Sequence, residues 1–351
     1  MVSAGARSTP MKGRRDALMF QFKFIMDYFQ AQSMSGPYAE ANMRAKWLPR
    51  FCPPDLRIAF APNPGQAPIY PNNAFLIDKY TPGWWNHFVQ NYTPDFQVYK
   101  GKYWSTGPNF DQHRPIERYV PMVVYSEFQK QYMQEYNYPA HLMHIIPNIV
   151  DSEIFYPRKK RKEIVVGWVG HDLNGLLKGP EVMPFLARRF PHIRFEMIMS
   201  APPSNQQGWL NDHPPNLFIR TNVPHNQMAE IVGSWHIMIC GSKSENCPNQ
   251  ILEAMSCGVP IIAAAMGGIY HIASNQRLIF DVNWGSPPYW WLPDALEKYA
   301  SALQDLLFND AYRNHLSQLA LKDSKQFAPK AVCKKWYDFM YLCREFAERG
   351  V

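Results

Sequence analysis

Two features predict an α/β chain built on doubly wound parallel sheets. The first is rhythm. From residue 164 onward, short β-branched runs alternate with segments of helical period, the pattern of strand–helix–strand units. The second is the stretch ENCPNQILEAMSCGVPIIAAAMGG, residues 245–268. It reads as loop, helix, glycine stop, buried strand and small-residue turn. In open sheets of this kind, ligands sit at the carboxyl ends of the strands.

Taken in order, residues 1–15 are small, polar and basic, and are expected to be a disordered tail. Residues 16–32 read as a helix, with Leu18, Met19, Phe22, Ile25, Met26 and Phe29 largely on one side. Such a helix packs on a core or leans on a membrane surface. Residues 55–61 read as the first parallel strand, 94–99 as another and 119–126 as a third, followed by a helix over 127–136. Between 55 and 119 there is room for only part of a full sheet. Strands are then expected at 164–169, 194–199, 217–221 and 236–240, with helices at 180–189 and 226–234. Residues 331–349 form a long closing helix bearing Trp336, Phe339, Tyr341 and Phe346.

A chain of 351 residues is long enough for two cores. Its net charge of +7 suits an anionic ligand or partner: a nucleotide, a nucleic acid or an anionic membrane. The six cysteines form no CxxC pair and are expected to be reduced thiols in a cytoplasm-like compartment. No run of apolar residues is long enough to cross a bilayer as a helix. No secretory signal is read at the start.

In residues 245–268 the start of the helix offers free backbone N–H groups and the positive dipole end, a site for a phosphate. Glu253 lies about one and a half turns in, where a carboxylate can accept from a pair of sugar hydroxyls. Pro248 has no N–H but suits a helix start, so the amide cradle is expected to begin at Asn249 and Gln250. The spacing of Glu245 and Glu253, the LEAM-x-C-G-V-P-I-I-A core and Gly267-Gly268 resemble the donor-binding domain of retaining GT-B glycosyltransferases. Pro147, Asn148, Val150, Asp151, Phe155 and Pro157 resemble that family's hinge.

The resemblance implies two Rossmann-like domains facing a cleft: a short, atypical acceptor-side domain over 16–157 and a nucleotide-sugar domain over 158–328. The helix over 329–351 crosses back to the first domain. It implies that Glu253 binds the ribose of a nucleotide-diphosphate sugar, a UDP-sugar first and a GDP-sugar second, and that Glu245 faces the transferred sugar. Lys178, in LLKGPE, is the counterpart of the family's phosphate lysine. Gly170-His171 stands where the family often has Gly-Arg. Asn222 and Val223 fall where the base is contacted, and Met266-Gly267-Gly268 where backbone approaches the sugar. Transfer is expected to retain anomeric configuration and to need no metal.

The acceptor is left open. Trp84, Trp85 and Trp104 are interleaved with Lys100 and Lys102. Aromatics stack on sugars or unstacked bases, and lysines hold phosphates. A glycan, lipid-linked or small-molecule acceptor is the first reading. The second is nucleic acid bearing a hydroxylated base, with the basic run 158–162 extending the track. A non-catalytic nucleotide- or glycan-binding scaffold is the rival from another class. His87 and His113 are the histidines that could assist from the first domain.

Overall fold

The structure is a computed structural model describing residues 20–25, 36–61, 73–78, 97–100, 122–135, 139–170, 177–199, 213–243, 245–283 and 291–348. Its frame is two six-stranded sheets, every strand pair parallel.

The first sheet contains β1 (Phe20–Ile25), β2 (Leu56–Ala61), β3 (Asn73–Asp78), β4 (Gln97–Lys100), β5 (Met122–Val124) and β6 (Met143–Ile145) in the order β2-β1-β3-β4-β5-β6. This overturns the helix expected over 16–32. FQFKFI alternates aromatic with polar residues, a two-residue period, and β1 hydrogen-bonds to strands on both sides. Nor is 55–61 the first strand: β2 is second in the chain and lies at the sheet edge. Residues 55–119 supply only β2, β3 and β4, part of the sheet as expected; β1 from before this span and β5 and β6 from after it bring the sheet to six strands. Helix α1 (Gly36–Phe51) joins β1 to β2, and α2 (Glu127–Glu135) follows β5.

The second sheet contains β7 (Val165–Gly170), β8 (Arg194–Met199), β9 (Leu217–Thr221), β10 (Ile237–Cys240), β11 (Ile261–Ala264) and β12 (Arg277–Ile279), ordered β12-β11-β10-β7-β8-β9. Its central strands β7, β10 and β11 read as unbroken apolar runs because both faces are covered. Consecutive residues go to opposite layers. Val165, Met238, Cys240, Ile261 and Ala263 pack with α4 (His225–Ser234) and α5 (Asn249–Ser256). Val166, Ile237, Ile239, Ile262 and Ala264 pack with α3 (Val182–Arg189) and, beyond the short α6 (Ile269–Ile272), with α7 (Pro293–Leu307). Helix α8 (Asp310–Ser324) contributes Ala320 to the first layer and Leu316 to the second.

The basic run leading into β7 is largely spent on the fold. Lys160 donates from Nζ to Gly233 O at 3.1 Å, favourably placed at the carboxyl end of α4. Burial pulls that amine down to about 8. Arg161 and Arg194 meet the fully buried Glu196 at 2.8 and 2.9 Å, and Trp235 Nε1 donates to it at 3.0 Å. Burial alone would raise the Glu196 carboxyl. The bonds from Trp235 and Arg194 and the charge of Arg161 instead hold it below the usual range. Arg158 lies over the Tyr156 ring. Three of the five cations expected to extend a polynucleotide track are thus engaged with the fold.

The closing helix α9 (Pro329–Glu348) returns to the first sheet. Val332, Cys333, Trp336, Phe339 and Met340 share one buried cluster with Trp47, Leu48, Leu56, Val123 and Ile146. Tyr337 Oη donates to Leu48 O, and Arg344 pairs with Asp55 at 3.3 Å. Trp336 is 1% exposed. Trp336→Ala should therefore cost about 3–5 kcal/mol in urea denaturation monitored by circular dichroism. A loss under about 1 kcal/mol would show that α9 does not depend on this docking.

Candidate functional site

In the second sheet the strand order reverses between β7 and β10. From β7 the chain moves outward through β8 and β9; from β10 it moves the other way through β11 and β12. The loops after these two central strands therefore diverge and leave a crevice at their carboxyl ends. Gly170 ends β7, and Lys178 follows on the same side. Cys240 ends β10, and Glu245 follows.

The crevice floor is closed by backbone contact. A Cβ on Gly179 would lie 1.9 Å from Gly241 O, and one on Gly241 would lie 2.2 Å from Gly179 O. Gly179 also has φ +58°, a conformation that favours glycine. Around this contact, Lys243 N donates to Leu177 O at 2.9 Å. The buried Lys243 ammonium pairs with Glu181 at 2.5 Å. Trp291 donates from its backbone to Glu181 at 3.0 Å and from Nε1 to Gly241 O at 2.9 Å. Trp168 Nε1 donates to Lys178 O at 3.3 Å.

Above that floor Lys178 Nζ is ion-paired with Glu245 Oε1. The lysine side chain is 33% exposed and the carboxylate 11%, so the pair is open to the crevice from the lysine side. Gln250 Nε2 also donates to Glu245 Oε1, at 3.3 Å. The backbone of Glu245 is pinned by the Gly267-Gly268 turn. Gly268 N donates to Glu245 O at 2.7 Å, and a Cβ on Gly268 would lie 1.7 Å from Asn246 O. In this structure the small-residue turn is therefore needed for close approach to residues 245 and 246.

Helix α5 starts at Asn249, with Pro248 at the N-cap and no side-chain cap bond. The first amides of a helix have no partner within it, and they form the positive end of its dipole. Asn148 holds this corner from the segment between the sheets. Its Nδ2 donates to Cys247 O at 2.9 Å and to Asn249 Oδ1 at 2.7 Å.

Glu253 lies four residues after Asn249 on the same helix. Its Oε1 is 3.0 Å from His225 Nε2. His225 opens α4 just after a turn in which Asn222 adopts φ +53°; asparagine tolerates this left-handed region better than most residues. Val223 packs against the core. Burial pulls His225 down, but the bond and charge of Glu253 outweigh it, so its pKa is raised. Sequence reasoning began this helix at Asn226 and passed over His225. Nothing local marks a partnership across 28 residues.

The structure thus gathers Lys178, Glu245, Asn249, Gln250, Glu253, Gly267 and Gly268 around the loops after β7, β10 and β11. Asn222 and Val223 lie at the end of β9, beside His225. His171, Trp84, Trp85, Lys102, Trp104, His87 and His113 lie outside the described residues. Lys100 ends β4 at the carboxyl side of the first sheet. Among the described residues, no three His, Cys, Asp or Glu side chains gather as a metal-binding group, and no helix is long and apolar enough to cross a membrane.

Residues 164–309 match the family model described as "Glycosyl transferases group 1". Sulfoquinovosyl transferase of Arabidopsis thaliana is 25% identical over 196 residues, 53% of this chain and 37% of that protein. The chain's matches span between 32% and 59% of the lengths of its curated relatives. Sucrose-phosphate synthase of Thermosynechococcus elongatus superposes with a TM-score of 0.70 at 15% identity, covering 92% of this chain and 98% of that one. The pneumococcal O-GlcNAc transferase GtfA, solved with UDP and GlcNAc, superposes with a TM-score of 0.60 at 15% identity, covering 77% and 57%. The chain has the GT-B fold of such glycosyltransferases, and residues 164–309 are similar to the glycosyl transferases group 1 family.

Proposed function

We propose that this chain is a retaining glycosyltransferase that moves a sugar from a nucleoside diphosphate sugar to a hydroxyl acceptor. The observation that carries the proposal is the Lys178–Glu245 pair at the switch point, beside the uncapped start of α5. Breaking the bond between the sugar and the diphosphate builds negative charge on the leaving phosphate and positive character on the sugar ring. Lys178 supplies a compact cation for that phosphate. The amides of Asn249 and Gln250 add the dipole end of the helix. Together they neutralise the leaving group with no bound metal. With Lys178 turned to the diphosphate, Glu245 is freed to receive the sugar's hydroxyls. Glu253 takes the ribose, Asn222 and Val223 border the base, and Gly170, Gly267 and Gly268 line the sugar's approach.

A uridine nucleotide is the first choice of donor and a guanosine nucleotide the second; the UDP and GlcNAc bound by the pneumococcal neighbour support the former. The acceptor is a glycan, lipid-linked sugar or small molecule, met by the loops of the first sheet. The inward commitment of Arg158, Lys160 and Arg161 removes part of the support for a polynucleotide acceptor. Action in the cytoplasm, with or without contact at a membrane surface, fits this donor chemistry.

A thermal-shift screen of UDP- and GDP-sugars, followed by incubation of the best donor with hydroxyl acceptors, tests the proposal. Mass spectrometry should show a product one sugar heavier, and NMR of a short reaction should show the anomeric configuration of the donor. An inverted linkage would contradict the retaining assignment. A donor that binds but is neither transferred nor hydrolysed would instead support the non-catalytic scaffold.

A further inference from the structure

His225 has no part in the transfer outlined above, yet it holds one of that transfer's key carboxylates. We infer that His225 is a positioning residue for Glu253 and thereby sets the preference of the site for ribonucleotides over nucleotides lacking the ribose hydroxyls. The inference rests on the reading that Glu253 meets the ribose.

The geometry is specific. Helix α5 presents Glu253 toward the start of α4, where His225 Nε2 lies 3.0 Å from Glu253 Oε1. The Glu253 side chain is 12% exposed and that of His225 27%, so both groups are mostly covered yet retain some solvent-accessible surface. The imidazole is itself held. Its ring centroid is 5.2 Å from that of the buried Phe155, at a 59° tilt. The nearby buried Asp151 is fixed by Lys46 at 2.6 Å. The charged groups acting on His225 are therefore Glu253 from α5, Asp151 from the segment between the sheets and Lys46 from α1.

A glutamate on a helix surface has several side-chain rotamers, and ordering it on binding costs affinity. His225 orders Glu253 before the nucleotide arrives. Each carboxylate oxygen has two acceptor sites, so the bond to His225 leaves Oε2, and one site on Oε1, for two adjacent hydroxyls. Removing the imidazole should cost affinity only where hydroxyls are present to use Glu253. A lesion in the fold would weaken every nucleotide alike.

Calorimetry on the full chain provides the test, with UDP and 2′,3′-dideoxy-UDP as probes, or the guanosine pair if the wild type takes GDP. For His225→Ala we expect a roughly two- to tenfold loss for the ribonucleotide and no change for the dideoxy form. His225→Gln, whose amide can donate from a similar place, should restore most of the loss. His225→Asn, too short to reach, should behave as alanine and serves if the alanine variant does not fold. Glu253→Ala should lose more for the ribonucleotide alone. Equal losses for both probes in the His225 variants would make His225 structural and overturn the inference. So would ribonucleotide affinity that responds to Glu253→Ala but to no change at His225. If Glu253→Ala leaves ribonucleotide affinity intact, or neither nucleotide binds the wild type, the ribose reading itself falls and takes this inference with it.

Discussion

The contact between the backbones of Gly179 and Gly241 is the constraint on which the site depends. Two loops that leave adjacent parallel strands would ordinarily diverge at a switch point. Here they touch because neither residue has a Cβ, and the buried Lys243–Glu181 pair clamps them from below. A buried ion pair of this kind adds little net stability, but its loss would leave a charge stranded. Its effect is to fix one geometry. Lys178 and Glu245, which flank the contact in sequence, are thereby delivered to each other across the crevice.

The same logic of paired charge joins the two halves of the chain. Lys46 on α1 meets Asp151 at 2.6 Å and Glu153 at 2.7 Å, and Arg50 meets Glu153 at 2.6 Å. Asn148 reaches the loop that carries Glu245, and Val150 N donates to Phe327 O at 3.0 Å. The segment between the sheets is thus held by α1 on one side and by the loop before α5 and the backbone at Phe327 on the other. Asp151 also acts on His225, which bonds Glu253, so the clasp between halves is linked to Glu253 through one side chain. The return of α9 to the first sheet ties the end of the chain into the same assembly.

The second sheet was legible in the sequence because both its faces are covered. Val165-Val166 and Ile261-Ile262-Ala263-Ala264 serve two layers at once, which leaves short β-branched runs as a clear signal. The first sheet was harder. FQFKFI has a two-residue alternation, but Leu18, Met26 and Phe29 around it also satisfy helical spacing, and the longer window favoured the wrong period. NAFLID was passed over because six residues carry little periodicity of their own. At the site, residues 245–268 announced both glutamates and the helix start. Lys178 was reached only through family resemblance, because its pairing with Glu245 spans 67 residues. The Lys243–Glu181 clamp and the His225–Glu253 bond left no local trace: long-range side-chain pairs appear only once the strand order is known.

The central claim is that Lys178 stands where a diphosphate binds. Calorimetry of Lys178→Ala against the parent, using the nucleoside diphosphate that binds (UDP or GDP) and the matching nucleoside, tests it most directly. Loss of a charged hydrogen bond should weaken the diphosphate by about ten- to a hundredfold while leaving the nucleoside, which carries no phosphate, nearly unchanged. Equal weakening of both ligands, or of neither, would contradict the placement of the leaving group at this pair.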